Sequence, residues 1–225
     1  LAARDLGAEM TLGVGAEYLD KVRAEGVEAV PLMDSMDAVL RVRGWSRDAF
    51  MAGCRRDPGL IMRELVMPAL LSTCRAIDSA ARTHEVLTGT PLGLAAAIVA
   101  EAQRKPYVPF LLAPPRAALV GPRQLEFERS IALRNLGPAI DAARAAGGLG
   151  PLTATPPFDF DGDVPFRLGL FPRLFASAQA PGQAPLHVVG AWRYDADAPG
   201  RDAIDPELAA FLDAGPPPVL ATLGT

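Results

Sequence analysis

His84-Glu-Val-Leu-Thr-Gly89, followed by Thr90-Pro91 and, after a helical stretch, by Tyr107-Val-Pro-Phe-Leu-Leu112, is the passage that decides the fold. The two outer runs are short and rich in β-branched, aromatic and aliphatic residues, which reads as strand. Between them Leu92, Ala95, Ile98, Val99 and Ala102 recur at helical spacing. Thr90 is placed to cap that helix and Pro91 to sit at its first position, where a missing N–H costs nothing. Arg104 and Lys105 complement the negative end of its dipole, and Pro106 stops it. A strand, a helix and a strand in so short a span predict a βαβ unit with parallel strands.

The same alternation extends in both directions. Toward the N-terminus, Ala8-Glu-Met-Thr-Leu-Gly-Val14 reads as a strand, 15–25 as a helix closed by Gly26, and Val27-Glu-Ala-Val-Pro-Leu32 as a strand. Residues 34–57 read as two short helices around Gly44-Trp45, and 59–82 as a long helix kinked at Pro68. Beyond the central unit come a helix over 123–146 interrupted at Gly137-Pro138, a loop over 150–165, and strands at 166–171 and 186–190. The predicted class is α/β: a Rossmann-like parallel sheet with helices on both faces. Leu1-Ala-Ala-Arg-Asp-Leu-Gly7 reads as the last turns of a helix, and Val219-Leu-Ala-Thr-Leu223 as a strand that would feed another. Truncation at both ends is expected, with self-association through uncovered strand edges.

Composition excludes several function classes. Half of the 225 residues are hydrophobic and 21% are charged, so the chain can bury a core. Lys and Arg number 22 against 26 Asp and Glu, a net charge of −4 without a basic face, which argues against nucleic-acid binding. Apolar runs are broken before the ~20 residues a membrane span needs. Cys54 and Cys74 make no disulfide framework and fit a cytoplasmic setting.

Few residues propose chemistry of their own. His84 lies at the amino end of its strand, away from the carboxyl ends where α/β sheets bind ligands, and His187 sits alone in an extended segment. Asp159-Phe-Asp161-Gly-Asp163 lacks the Gly and Glu spacing of a calcium loop and reads as a solvated loop. No metal or cofactor is expected. Thr88-Gly89-Thr90 stands at a strand-to-helix corner, where a cap is the simpler reading than an anion site.

Three stretches carry a family resemblance. Gly7-Ala-Glu-Met-Thr-Leu-Gly-Val, a helix ending Glu25-Gly, and Val-Glu-Ala-Val-Pro-Leu match in layout a first strand, helix and strand. A second strand and helix end at Ala100-Glu-Ala-Gln-Arg-Lys-Pro-Tyr-Val, followed by Pro114-Pro115. The most specific is His187-Val-Val-Gly-Ala-Trp192, a linker, then Pro206-Glu-Leu-Ala-Ala-Phe-Leu-Asp-Ala-Gly-Pro-Pro-Pro-Val-Leu-Ala-Thr-Leu-Gly-Thr225. Together they resemble the GT-B glycosyltransferases that include the bacterial glycopeptide and macrolide enzymes and the sterol glucosyltransferases.

The resemblance implies an acceptor-binding domain over 1–192, a linker over 193–204 and the start of a nucleotide-sugar-binding domain over 205–225. It implies sugar transfer from a nucleotide-sugar to a hydroxyl of a bulky, largely apolar small-molecule acceptor, with the chain's own C-terminal domain as partner. Its catalytic base is expected upstream of Leu1, so none is assigned here. Gly224 and Thr225 match the turn near the donor phosphates. Trp45, Phe50, Met51, Val66, Thr90, Pro114 and Phe127 are the expected acceptor-binding residues, from apolar segments that follow strand ends. A non-catalytic binding module and a sugar-nucleotide epimerase of similar double-Rossmann shape are the alternatives.

Overall fold

The structure is a computed structural model that describes residues 6–57, 59–90, 93–115, 119–152, 164–175, 184–191, 204–217 and 219. The chain divides into two compact units, Leu1–Ala191 and Trp192–Thr225.

The larger unit begins with β1 (Thr11–Gly15), a single 3-10 turn at Ala16–Tyr18, α1 (Leu19–Ala24) and β2 (Glu28–Met33). Gly26, at φ +70°, makes the turn that releases α1 into β2. β1 and β2 are parallel, with Thr11 opposite Glu28 and Val14 opposite Pro31. Two short helices follow, α2 (Met36–Val42) and α3 (Arg47–Arg56). Each starts on a serine whose hydroxyl accepts a backbone N–H three residues on: Ser35 from Ala38 and Ser46 from Ala49, both at 3.2 Å. Phe50, Leu40 and Leu65 form their small core, with Met33, Met36 and Ile61 packed against it.

The long helix expected over 59–82 has two parts. A π-helical turn spans Met62–Val66, and α4 (Met67–Ala81) follows with Pro68 in its first turn. Pro68 therefore sits at a fresh helix start, where its missing N–H is harmless, and the irregularity lies in the turn before it. α4 packs on β2, α5 and α6 and carries Leu70, Cys74 and Ala81 into the main core.

The central unit is β3 (Leu87–Gly89), α5 (Leu94–Ala102) and β4 (Tyr107–Leu111). β3 and β4 are parallel neighbours, with Leu87, Thr88 and Gly89 opposite Tyr107, Val108 and Pro109, as the βαβ reading requires. Helix start and stop differ from expectation. Gly93, not Thr90, is the N-cap of α5, and the Thr90 carbonyl instead accepts the Gly93 N–H at 2.7 Å in the preceding turn. Lys105 does not serve its own helix. Its ammonium donates to the carbonyls of Ala81 (2.5 Å), Arg82 (3.1 Å) and His84 (2.6 Å), closing the C-terminus of α4. Arg104, at φ +55°, takes the left-handed position that ends α5.

α6 (Pro122–Ala146) runs unbroken through Gly137-Pro138. Leu136, Gly137, Ile140 and Ala143 are buried on both sides of the proline, and this packing outweighs one lost backbone bond. Arg144 forms a bidentate pair with Glu101 at 2.6 and 2.8 Å, tying α6 to α5. β5 (Arg167–Gly169) and β6 (Leu186–Val188) complete a four-stranded parallel sheet of order β3-β4-β5-β6. The fully buried Arg167 donates through Nε and Nη2 to the Ala184 carbonyl at 3.0 and 2.8 Å, anchoring β5 to the segment entering β6.

One sheet was expected across the domain. Among the described residues there are two, β1-β2 and β3-β4-β5-β6. In the smaller unit, α7 (Pro206–Asp213) is capped by the Asp205 carboxylate, which accepts from Glu207 N at 2.8 Å and Leu208 N at 3.3 Å. Of the terminal strand expected at 219–223 only Val219 is described, and the Asp159–Asp163 loop and Leu1 to Asp5 lie outside the described residues.

Lys105→Met removes three hydrogen bonds from a cation to helix-end carbonyls. Charge-assisted bonds contribute more than neutral ones, so the substitution is expected to lower unfolding free energy by about 1.5–3 kcal/mol. Urea unfolding checks this; a change below ~0.5 kcal/mol, the usual effect at a featureless surface position, contradicts the assignment.

Candidate functional site

Parallel pairing puts the carboxyl ends of neighbouring strands on one side, which is where open α/β sheets bind ligands. A cavity of about 600 Å³ is lined by β1, β2, β3 and α4, from Thr11 and His84 at one side to Gly15, Gly89 and Thr90 at the carboxyl ends. Its lining is mostly aliphatic, including Leu12 and Val14 of β1, Leu32 and Met33 of β2, and Ala69 and Ile77 of α4. Its polar lining residues include Glu17, Asp34, Thr73, His84, Thr88 and Thr90. An apolar cleft with a small polar set suits a ligand with a large hydrophobic body and a few hydroxyls.

Two glycines shape the walls. A Cβ on Gly15 would come within 2.6 Å of Glu17 Oε2, so glycine at the end of β1 lets the Glu17 carboxylate fold back. Glu17 Oε1 then accepts the Met36 N–H at 3.2 Å, linking the end of β1 to the start of α2. A Cβ on Gly89 would meet the Tyr107 hydroxyl at 2.8 Å.

The expected acceptor residues separate into three groups. Val66 and Thr90 line the cavity. Trp45, Phe50 and Met51 sit on α3 or the turn before it. Phe50 is only 2% exposed and belongs to the small core, so it supports Met33 and Met36 from behind rather than facing a ligand. Its ring stacks on Trp45 at 5.8 Å between centroids, and the Arg43 guanidinium lies 5.9 Å from the Trp45 ring centre. Arg43 is itself paired with Glu64. Trp45 is held in place yet keeps 37% of its surface exposed, and Met51 is exposed beside it. Pro114 is half-buried after β4, and Phe127 is exposed on α6; neither lines the cavity. Gly224 and Thr225 lie outside the described residues.

Met33 and Met36, expected in the apolar segment after β2, do line the cavity, whereas the sequence reading missed Gly15 and Glu17. The signal was available: glycine and then an acidic residue directly after a strand.

His84 also lines the cavity, just past the end of α4, where its Nδ1 lies 3.1 Å from the Ala80 carbonyl and 3.3 Å from the Thr83 hydroxyl. His187 is exposed on β6, edge-on to Phe166 at 5.6 Å. Among the described residues no three His, Cys, Asp or Glu side chains converge as a metal site, and no helix is long and apolar enough to cross a membrane.

Known proteins share this architecture. The spinosyn forosaminyltransferase SpnP superposes with a TM-score of 0.56 at 16% identity, covering 92% of this chain and 48% of its own. A glycosyltransferase of Streptomyces sp. SF2575 gives 0.54 at 16%, covering 88% and 50%, and the glycotransferase of kitacinnamycin gives 0.55 at 14%, covering 91% and 49%.

The fold is that of the GT-B glycosyltransferases.

The chain spans about half the length of these structures. No protein-family model matches the sequence, and no curated protein matches it significantly. The two free cysteines differ in burial, and Cys54 is half-buried against the small core. Cys74 is buried in the main core, and burial pushes its thiol up to about 11 from an ordinary 9.0.

Native Cys74 holds its proton between pH 9 and 11 while the unfolded thiol loses it, so its contribution makes stability fall as pH rises through that window. At pH 8 a chromogenic thiol reagent is expected to titrate half-buried Cys54 in the native chain and Cys74 only in denaturant. Equal native rates for both thiols would contradict the placement.

Proposed function

We propose that this chain is the acceptor-binding half of a glycosyltransferase that moves a sugar from a nucleotide-sugar to a hydroxyl of a bulky, largely apolar small molecule. The observation that carries the reading is the largely apolar cavity lined by β1, β2, β3 and α4, with Met33, Met36, Val66 and Thr90 among its lining residues, in a chain with a glycosyltransferase fold. The spinosyn enzyme's name gives one pairing of such a fold with a sugar transfer. The resemblance from His187 to Thr225 supports the same reading and assigns Gly224 and Thr225 to the donor side.

In this reading the methionine wall adapts to the acceptor's shape, since thioether side chains repack at little cost. Trp45, clamped by Phe50 and Arg43, offers a flat apolar contact whose orientation is already fixed. Met51 and Phe127 add exposed apolar area, and Pro114 stiffens the segment after β4. The hydroxyls of Thr88 and Thr90 orient the acceptor. The base that deprotonates it and the groups that stabilise the departing diphosphate come from polypeptide beyond this chain, without a metal. Two free thiols suit a cytoplasmic setting.

The test uses the whole natural enzyme with a panel of nucleotide-sugars and polyketide, sterol and flavonoid acceptors. Transfer to apolar acceptors is expected, with Trp45→Ala and Phe127→Ala each weakening acceptor affinity about 5- to 30-fold, the range for losing part of a large apolar contact. Residues 1–225 alone are expected to transfer no sugar above a protein-free control. Turnover of small polar acceptors alone, or unchanged affinity in both variants, defeats the proposal.

A further inference from the structure

The cavity shares a wall with the small core. Leu40, Phe50 and Leu65 form that core, and Met33, Met36 and Ile61 are among the residues packed against it. Of these, Met33, Met36, Ile61 and Leu65 also line the cavity. The thioethers can repack, but how far they move depends on the close-packed residues behind them. Whatever fixes the small core therefore bears on what the cavity can hold.

Trp45 covers that core from outside. Gly44, at φ +70°, turns the chain after α2, and the Gly44 and Trp45 N–H groups donate to the Arg41 and Leu40 carbonyls at 3.0 and 2.9 Å. This Schellman pattern fixes the backbone of Trp45. Its ring stacks on Phe50, and the Arg43 guanidinium lies 5.9 Å from its centre. All of these contacts stay within α2, α3 and the turn between them. One contact leaves: Arg43 Nη1 donates to Glu64 Oε2 on the π-helical turn. Among the described residues no other hydrogen bond or ion pair joins 36–56 to 59–81. The two side chains are 28% and 29% exposed, so solvent and salt screen this pair less than the open Arg47–Asp37 pair nearby.

The π-helical turn serves both cores. One residue of an α-helix turns the chain by about 100°, so the extra residue of a π turn re-aims the residues before it relative to α4. Met62 lies in the main core with Leu70 and Cys74, Leu65 lies in the small one, and Glu64 between them reaches Arg43. The contacts close a ring that runs from Glu64 through Arg43, Trp45, Phe50 and Leu65 and back along the turn.

We propose that Glu64 is a positioning residue for acceptor selection. Through Arg43 it seats the Trp45–Phe50 stack, and through that stack it holds Leu65, Ile61 and the two methionines in one arrangement. A wall set before the ligand arrives favours an acceptor of fixed, complementary shape, because neither partner then pays much to become ordered. A loosened wall loses that advantage for a rigid ligand and changes little for a flexible one. The inference rests on the reading of the cavity as an acceptor site and adds what sets the acceptor's shape.

The test uses the full natural polypeptide labelled with 5-fluorotryptophan, with Trp45→Phe to assign the Trp45 fluorine line. Glu64→Gln and Arg43→Gln each break the pair from one side. Arg63→Gln is the control, because it breaks the Arg63–Asp57 pair on the same turn and leaves Arg43 alone. Calorimetry reads affinity for a sterol, rigid and polycyclic, and for a long-chain alcohol, flexible and comparably apolar. Both pair-breaking variants are expected to shift or broaden the Trp45 line, to weaken the sterol about fivefold or more, and to change the alcohol less than about twofold. Combined, they lose no more than either alone. Arg63→Gln leaves the line and both affinities unchanged. An unmoved Trp45 line, equal losses for the two ligands, additive losses in the double variant, or the same effects from Arg63→Gln would overturn the inference. Binding of neither ligand by the unaltered protein defeats the acceptor reading instead, and the Trp45 line, recorded without ligand, still decides whether Glu64 seats the ring.

Discussion

A parallel strand buried between helices must find backbone partners along both edges, and the arrangement of this chain follows from that constraint. β4 meets it completely. It pairs with β3 and β5, and four of its five residues are buried, the signature of a strand covered on both faces. Among the described residues β1 and β3 meet it on one side each, and both line one cavity together with α4. That cavity is therefore bounded by strand edges and helix side chains together, with methionines, hydroxyls and carboxylates among its lining residues.

Much of this fold is legible in the sequence, for identifiable reasons. The βαβ unit at 87–111 is recognisable because strand-forming residues flank a helix with regular apolar spacing, and its parallel pairing follows from connection length alone. What the sequence conceals is tertiary. Thr90 and Pro91 make a convincing helix start, yet α5 begins at Leu94, because the preceding turn closes on the Thr90 carbonyl. Gly137-Pro138 looks like a break, yet Leu136 and Ile140 are anchored in the core and carry the helix through it. Lys105 looks like a cap for its own helix and serves α4, a partnership across more than twenty residues that no local pattern reveals.

The site divides similarly. Residue type alone identifies an apolar surface around 33–67, but exposure decides which of its members can touch a ligand. Phe50 and Trp45 look alike in sequence; packing makes the first a core residue and the second a held, half-open platform. Glu17 is invisible without the structure, because its placement depends on Gly15 leaving room and on the Met36 N–H donating to its carboxylate.

The central claim is that the largely apolar cavity lined by β1, β2, β3 and α4 receives an apolar acceptor. Calorimetry of polyketide and sterol acceptors with the full natural polypeptide, and with its Val66→Asn variant, tests it most directly. The account predicts binding that Val66→Asn weakens about tenfold or more while unfolding free energy changes little. Unchanged affinity in a folded Val66→Asn variant would contradict it.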